Sequence, residues 1–454
     1  MKRTITDEEF RKKQPDPQIA GPINFRPDQF FQLDNGLKII LVENHKLPRV
    51  NVQLYIDRGV FADGDKAGLQ ELAGQLLSCG TVRDSKYEWD RKIDYYGGSI
   101  HTTSIGGTAS SLTRYFKQVF QLFADAILTP AFPLEEFNNL KRQLLSNLAA
   151  QKSEPESILG NLIKRRIYPG RHPYSEVITE KTVRNITVDD CREWFLTNSS
   201  PDNSYLIFEG DITMEDIKIL VGDNFSSWIP RSVTTLEWPE DMKRNGVNVS
   251  FVERPGAVQS LIGIGYSINY LPYNADTDAA NLMNSVLGGY FSSRLNLNLR
   301  ENKGYTYGIY SRLTNDESIG SFTTSVSVRN DVTADTILEI VKEMNTLRDV
   351  DISVEELQQV KNVISGNFSR SVENPMIIAK FAFARHKFNL PEDYFKNQLI
   401  RINKVSVDDI RLMAQKYLLT DNMHIAVIGS REVLNSLTAF GQVTEFDFEG
   451  NPIG

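Results

Sequence analysis

The chain has 454 residues, of which 41% are hydrophobic and 24% charged, and its net charge is −8. A chain of this length exceeds one ordinary hydrophobic core, so two or more domains are expected. The acidic balance argues against nucleic acid as a partner. No apolar run reaches the roughly 18 residues that span a bilayer, and two cysteines allow one disulfide at most.

Met1 to Arg26 is polar and contains Pro15, Pro17 and Pro22, which predicts an extended N-terminal arm, residues 1–27. This stretch lacks the apolar core of a signal peptide. Earlier removal of a signal stays open, so the composition leaves the compartment unknown.

The first predicted elements are strands. Phe31–Val42 contains an Asn35-Gly36 pair between two apolar runs, which predicts a hairpin with a tight turn. Val50–Val60 alternates apolar and polar residues well enough for a further strand.

An amphipathic helix is predicted next, within residues 68–81. Leu69, Leu72, Leu76 and Leu77 fall at i, i+3, i+7 and i+8, which places them on one helix face, and Gly80 is the predicted stop. The rest of the first half is predicted as helices at Lys86–Tyr96, Tyr115–Ile127, Leu134–Lys152 and Thr187–Phe195, with strand character at Ser99–Ser111 and Tyr205–Gly210.

The pattern of the first half recurs in the second. The matching segments, with their separations, are Thr187–Asp190 with Ser406–Asp409 (219 residues), the strand ending at Gly210 with that ending at Gly429 (219), Glu135–Phe137 with Glu355–Leu357 (220), and Glu71–Leu77 with Asn281–Leu287 (210). Several anchors in the same order favour a duplicated domain over chance similarity of short helices. The predicted domains are residues 28–228 and 248–454, joined by a linker, residues 229–247, that is rich in proline and charge.

The helix at 68–81 resembles that of the insulinase/pitrilysin-type inverted zincins, which reads G-L-x-H-x-x-E-H-x-L-x-x-G-T. Gly68, Leu69, Leu77, Gly80 and Thr81 match this frame. The resemblance implies an α+β fold of two tandem homologous domains of the half-clam type. Each domain is expected to be an antiparallel-rich sheet with packed helices.

The zinc chemistry of that family is missing from the matching positions. The family's His, Glu and His become Glu71, Gly74 and Gln75, and its distant Glu ligand aligns with Asn147. A catalytic zinc site needs three protein ligands and a general base, whereas neutral amides bind zinc poorly. We therefore expect no metal in this chain.

A second family motif is retained. The segment from Leu287 through Leu295 to Tyr307 resembles L-G-x-x-x-x-S-R-L followed by L-R-E-x-x-G-x-x-Y. In the family, the Arg and Tyr that match Arg300 and Tyr307 reach across the chamber to the zinc site of the other half. The simpler interpretation is that Arg300 forms a surface ion pair and that Tyr307 is a half-buried tyrosine on a strand. Gly288 and Gly289 resemble a substrate-contacting glycine loop, and a helix-ending turn accounts for them equally well.

Loss of the zinc residues with retention of the Arg/Tyr pair resembles the non-catalytic partner in heterodimeric peptidases, including the alpha subunit of the mitochondrial processing peptidase. The resemblance implies a homologous H-x-x-E-H subunit that carries the zinc and an unfolded peptide as substrate. It suits a bacterial pair, in the cytoplasm or periplasm. The alternatives are a structural scaffold and a homodimer that binds peptide without turnover.

Overall fold

The structure, a computed structural model, describes residues 23–168, 170, 172–233 and 246–453. Most of the predicted arm, residues 1–27, and positions 234–245 of the predicted linker lie outside these ranges. Phe25, at the described end of the arm, packs edge-on against Phe381 of the second half, with ring centroids 5.7 Å apart. Within the described ranges, no helix has both the length and the apolar character to cross a membrane.

The first half forms one six-stranded sheet with the strand order β1-β2-β6-β3-β5-β4. Its elements are β1 (Asp28–Gln32), β2 (Lys38–Glu43), β3 (Arg49–Ile56), α1 (Leu69–Leu76), α2 (Lys86–Tyr96), β4 (Ser99–Thr103), β5 (Gly106–Leu112), α3 (Thr113–Leu128), α4 (Leu134–Gln151), α5 (Pro155–Ile167), α6 (Glu180–Asn185), α7 (Val188–Asn198), β6 (Ser204–Gly210) and α8 (Met214–Phe225). The predicted hairpin is present: β1 pairs antiparallel with β2, and Gly36 has a φ of +91° in the turn between them.

The second half forms a second six-stranded sheet with the order β12-β7-β11-β8-β10-β9. Its elements are β7 (Asn248–Glu253), β8 (Gln259–Ile268), α9 (Thr277–Asn284), α10 (Arg294–Asn296), β9 (Tyr310–Thr314), β10 (Gly320–Arg329), α11 (Thr333–Asp349), α12 (Val354–Ser371), α13 (Pro375–Lys387), α14 (Gln398–Lys404), α15 (Val407–Tyr417), β11 (His424–Gly429), α16 (Leu434–Leu437) and β12 (Val443–Phe446). Two π-helical turns, Ser285–Gly289 and Leu297–Asn302, flank α10.

The two sheets are copies of one pattern. Five strands of each sheet follow the same order, and only the sixth differs in origin: β1 begins the first half, whereas β12 ends the second. Helices α4 and α12 have 18 residues each and start 220 residues apart, and α5 and α13 have 13 each at the same separation. The α+β fold with two homologous, antiparallel-rich halves is therefore confirmed.

The copies exchange one helix each. Helix α5 packs its Leu159 and Leu162 on the second sheet, while α13 packs Ala379 and Ala382 on the first. The inner strands of each sheet are thereby covered on both faces, which explains why β2 and β11 are continuous apolar runs instead of alternating ones. The apolar pattern of these strands reflects the exchange. The sequences of α5 and α13 do not indicate which sheet each helix covers.

This exchange predicts that the halves stay together when the chain between them is cut. A protease site inserted between residues 233 and 246 and then cleaved should leave one complex in size-exclusion chromatography, because both exchanged helices remain buried. Leu162 is 1% exposed, so Leu162→Asp places an unpaired carboxylate in the interface. The cut Leu162→Asp protein should separate into halves; separation of the cut parent chain would contradict the exchange.

Because His424 is buried, we expect the free energy of unfolding to fall as the pH is lowered. Its Nε2 lies 2.9 Å from Ser250 Oγ, and burial lowers the pKa of His424 to about 3. Below the unfolded-state pKa of about 6.5, only the unfolded chain takes up this proton, so folding is weakened progressively down to about pH 3. Between pH 7 and pH 5 the loss is about 2 kcal/mol. Urea unfolding at pH 7 and pH 5 should show this loss in the free energy of unfolding. In the His424→Asn variant, the difference between the two pH values should be smaller by about the same amount.

Candidate functional site

Helix α1 carries the positions that match the zinc motif. The helix ends at Leu76, with Leu77 as its C-cap, so the predicted stop at Gly80 is wrong by one turn. Gly80 instead has a φ of +110° where the chain turns toward α2. The predicted apolar face is buried in the first core, because Leu69, Leu72 and Leu76 all lie within it.

Gly74, at the position of the family's general base, has no room for a side chain. A Cβ atom there would lie 2.2 Å from the backbone nitrogen of Ser104 and 2.4 Å from the carbonyl carbon of Thr103. These residues form the tip of the β4–β5 hairpin, which rests directly on α1. Thr102 Oγ1 also donates a hydrogen bond of 2.8 Å to the Gly74 carbonyl oxygen. The hairpin tip therefore occupies the space that a glutamate side chain needs.

A buried arginine holds the hairpin tip in place. The Arg58 guanidinium donates to the carbonyl oxygen of Ser104 and to Gln70 Oε1 on α1 at 3.2 Å. It also lies 4.2 Å from the ring centroid of Trp194. Burial lowers the pKa of Arg58 to about 10, so the side chain is still charged at neutral pH. The helix, the hairpin and α7 are thus tied together at the former base position.

The remaining former zinc positions are on the surface. Glu71 and Gln75 are exposed on α1, where Gln75 Nε2 donates to Glu71 Oε1 at 3.3 Å. Asn147 is exposed on α4, which packs against α1 as the alignment requires. One carboxylate and two neutral amides do not form a zinc donor set, and the crowding at Gly74 excludes a base. Across the described ranges, no three His, Cys, Asp or Glu side chains cluster as a metal site would require.

Arg300 lies on the second π-helical turn, Leu297–Asn302. Its guanidinium carbon is 4.1 Å from the ring centroid of Phe291, and its Nη1 is 3.3 Å from Glu301 Oε1. The side chain is 30% exposed. Nη1 itself is buried and, in the described structure, makes no hydrogen bond. Such π-helical turns occur frequently at functional sites, and here one carries a partly buried guanidinium that is stacked on Phe291.

Tyr307 is presented on an anchored loop between this turn and β9. On one side Tyr305 OH donates to Asp335 Oδ2 at 2.8 Å. On the other side buried Asn296 pairs with both backbone groups of Ile309, at 2.8 and 3.0 Å. Tyr307 between these anchors is 96% exposed. A loop anchored on both sides therefore presents an aromatic side chain almost entirely in solvent.

Gly288 and Gly289 end the first π-helical turn, Ser285–Gly289. A Cβ at Gly288 would lie 2.5 Å from Ser311 Oγ, so this glycine lets the turn contact β9. Gly289 is exposed and lines the cavity beside that strand.

Sequence reasoning identified Arg300 and Tyr307 but missed the residues that position them. Phe291 supports the guanidinium, Asn296 fixes the loop, and Arg294 binds both carboxylate oxygens of Glu356 on α12 at 2.7 Å. Arg294 belongs to the motif, and this was the one available signal. Phe291 and Asn296 act through contacts with Arg300 and Ile309 that the motif does not specify.

Comparison with known proteins identifies the lineage. Residues 38–178 match the family model described as Insulinase (Peptidase family M16), and residues 185–364 match Peptidase M16 inactive domain. The chain is 23% identical to the uncharacterized zinc protease YmxG of Bacillus subtilis, over 76% of this chain and 84% of that protein. It is 21% identical to the non-peptidase homolog YmxG of Helicobacter pylori, over 87% and 92%.

A solved structure has the same fold. The peptidase M16 inactive domain from Pseudomonas fluorescens superposes with a TM-score of 0.80 at 23% identity, covering 89% of this chain and 98% of that one. Two models of one family together match most of the sequence, across both halves. The chain belongs to peptidase family M16, the insulinase family.

Proposed function

We propose that this chain is the non-catalytic subunit of a heterodimeric zinc peptidase, inactive alone and active with a homologous H-x-x-E-H subunit. The observation that carries the proposal is that Tyr307 is 96% exposed on a loop whose flanking residues, Tyr305 and Ile309, are anchored by hydrogen bonds. Anchoring a loop costs conformational entropy, and a tyrosine so fully exposed has no packing role in its own chain. The position of Tyr307 suits a side chain that acts on another molecule.

The chemistry of Arg300 and Tyr307 suits peptide hydrolysis. A guanidinium and a phenol are hydrogen-bond donors, and donors fixed before the reaction stabilise the negative charge that develops on a cleaved carbonyl. In the proposed complex the partner supplies the zinc. Arg300 and Tyr307 bind the peptide backbone and the developing oxyanion, and the chain closes the peptide chamber.

The blocked first half supports the same division of labour. At Gly74 the hairpin tip fills the space of a general base, so this half has lost more than its ligand side chains. The second half keeps Arg300 on a π-helical turn and Tyr307 on the anchored loop that follows it. The name non-peptidase homolog given to the Helicobacter pylori relative is in line with this asymmetry.

Purification from the native source tests the proposal. We expect an H-x-x-E-H chain of similar length to co-purify in equal amount, and zinc-dependent peptidase activity to appear only when both chains are present. A partner that is fully active alone would contradict the proposal. A stable complex whose activity ignores Arg300 and Tyr307 would favour the structural scaffold, and recovery of a homodimer alone would favour a peptide-binding role without turnover.

A further inference from the structure

Helix α11 carries three carboxylates on the face that packs against residues 297–307, the motif segment. Asp335, Glu339 and Glu343 follow one another at i, i+4 and i+8, so they lie on one side of the helix, and all three are half-buried. Like charges at this spacing destabilise a helix. These three residues, the carboxylate row, therefore depend on donors from other parts of the chain.

One partner of the row lies just before Arg300. Asn298 Nδ2 donates to Glu339 Oε2 at 2.8 Å and to Glu343 Oε1 at 2.7 Å, which uses both N–H donors of the amide. The hydrogen bond from Asn298 lowers the pKa of Glu339, so this carboxylate is charged at neutral pH and its hydrogen bond is charge-assisted. Asn298 thereby ties the π-helical turn Leu297–Asn302 to α11.

Two further partners follow the turn, on the way to Tyr307. Lys303 Nζ lies 2.8 Å from Asp335 Oδ2 and 3.2 Å from Glu339 Oε1. Tyr305 OH donates to the same Asp335 oxygen at 2.8 Å. Hydrogen bonds from Lys303 and Tyr305 lower the pKa of Asp335, so it too is charged at neutral pH. The row therefore holds the motif segment at three residues.

The equivalent helix of the first half lacks the row. Helix α3 begins at residue 113 and α11 at residue 333, 220 residues apart, so the three carboxylates correspond to Tyr115, Val119 and Phe123. Val119 and Phe123 are 0% exposed and belong to the first core. The carboxylates therefore go with the half that carries the Arg/Tyr motif and not with the fold that both halves share.

We propose that the carboxylate row positions Arg300 and Tyr307, because it fixes the segment that presents both side chains to the zinc site of the partner subunit. Donors stabilise a developing oxyanion best when they are fixed before the reaction, and a displacement of about 1 Å can lower a rate on the order of 100-fold. The row itself touches no substrate. The inference rests on the proposed function, since positioning matters only if the two side chains act on a peptide.

Hydrogen exchange of the isolated full chain tests the anchoring without a partner. The row variant, Asp335→Ala/Glu339→Ala/Glu343→Ala, removes the acceptors of the motif segment, and alanine favours helix α11 itself. We expect the backbone amides of residues 297–309 to exchange roughly tenfold faster in the row variant, because the segment opens more often. Exchange in the other helices and the melting temperature should hardly change.

Kinetics of the assembled peptidase test whether the anchoring serves the reaction. The row variant should lower kcat about tenfold or more, with a much smaller change in KM and the same subunit affinity. The conservative variant Asp335→Asn/Glu339→Gln/Glu343→Gln keeps an acceptor oxygen at each position and should recover most of the lost kcat. A merely structural role would instead lower the melting temperature and the subunit affinity.

Asp276→Ala is the matched control for the loss of Asp335. The Asp276 carboxylate accepts hydrogen bonds from Lys416 Nζ and Tyr417 OH, the same two donor types that Asp335 receives. Because Asp276 lies outside the motif segment and the row, its replacement should leave both kcat and the exchange of residues 297–309 unchanged.

Unchanged exchange of residues 297–309 in the row variant would overturn the anchoring, and a parental kcat would overturn the positioning role. The two proposals fail separately. A parent chain that stimulates no H-x-x-E-H subunit would refute the subunit role, and the positioning role with it. A stimulated complex that loses activity with Arg300→Ala/Tyr307→Phe and keeps its kcat in the row variant would refute the positioning role alone.

Discussion

Replacing Gly74 with glutamate is expected to destabilise the first half severely and to restore no activity. The new Cβ would lie 2.2 Å from the Ser104 backbone nitrogen, and the hairpin tip is held by Arg58 and Thr102. Overpacking against backbone together with a buried carboxylate costs roughly 4 kcal/mol or more, a large part of the stability of a typical domain. Urea or thermal unfolding of the purified variant measures the loss.

A matched pair of alanine substitutions isolates the crowding. Gly74→Ala should be strongly destabilising, whereas Gly366→Ala, on helix α12 with nothing within 4 Å of the new Cβ, should stabilise by about 0.5–1 kcal/mol. Equal effects at the two sites would refute the crowding at Gly74. Restoring all four zinc positions, with Glu71→His, Gly74→Glu, Gln75→His and Asn147→Glu, should likewise fail to give a folded zinc peptidase.

The second large effect, a loss of peptidase activity, is expected from substitutions at Arg300 and Tyr307. Arg300→Ala combined with Tyr307→Phe should lower kcat/KM of the assembled peptidase by about 100- to 1,000-fold, the range seen when oxyanion donors are removed. The melting temperature of the isolated chain should hardly change with Tyr307→Phe, because Tyr307 is 96% exposed, and should fall modestly with Arg300→Ala, which removes the stacking of Arg300 on Phe291. Steady-state kinetics of the mixed subunits, with subunit binding measured in parallel, separates a chemical role from an assembly role.

Tyr95→Phe is the matched control for Tyr307→Phe. Tyr95 is 81% exposed on α2 of the first half, away from the π-helical turns, so removing its hydroxyl group should leave kcat/KM unchanged. Equal losses from both tyrosine variants would show that the assay responds to surface changes in general.

Local elements were predictable because their signals are local. Helix α2 begins and ends at Lys86 and Tyr96 as its pattern predicts, since Ser85 and Glu88 form a capping box and Gly97 adopts the left-handed conformation at its end. The Asn35-Gly36 turn follows from turn chemistry in the same way. The duplication was also visible, because paired elements keep their capping residues at nearly constant separation.

What the sequence did not reveal depends on contacts between distant segments. The sequence of α5 does not indicate that this helix covers the second sheet. The sequence around Gly74 does not indicate that the hairpin tip at Ser104 packs on Gly74. The motif showed that the general base is absent at Gly74. It did not show that the hairpin tip leaves no room for a side chain there. The π-helical turns were not predicted, because no sequence periodicity marks them.

The role of this chain as an activating subunit can be measured by titrating a fixed amount of the H-x-x-E-H subunit with it. We expect almost no peptidase activity at the start and a rise that levels off at one equivalent. The Arg300→Ala/Tyr307→Phe chain should reach the same stoichiometry at a far lower plateau. Full activity of the zinc-bearing subunit before any addition, or an equal plateau for the variant, would contradict it.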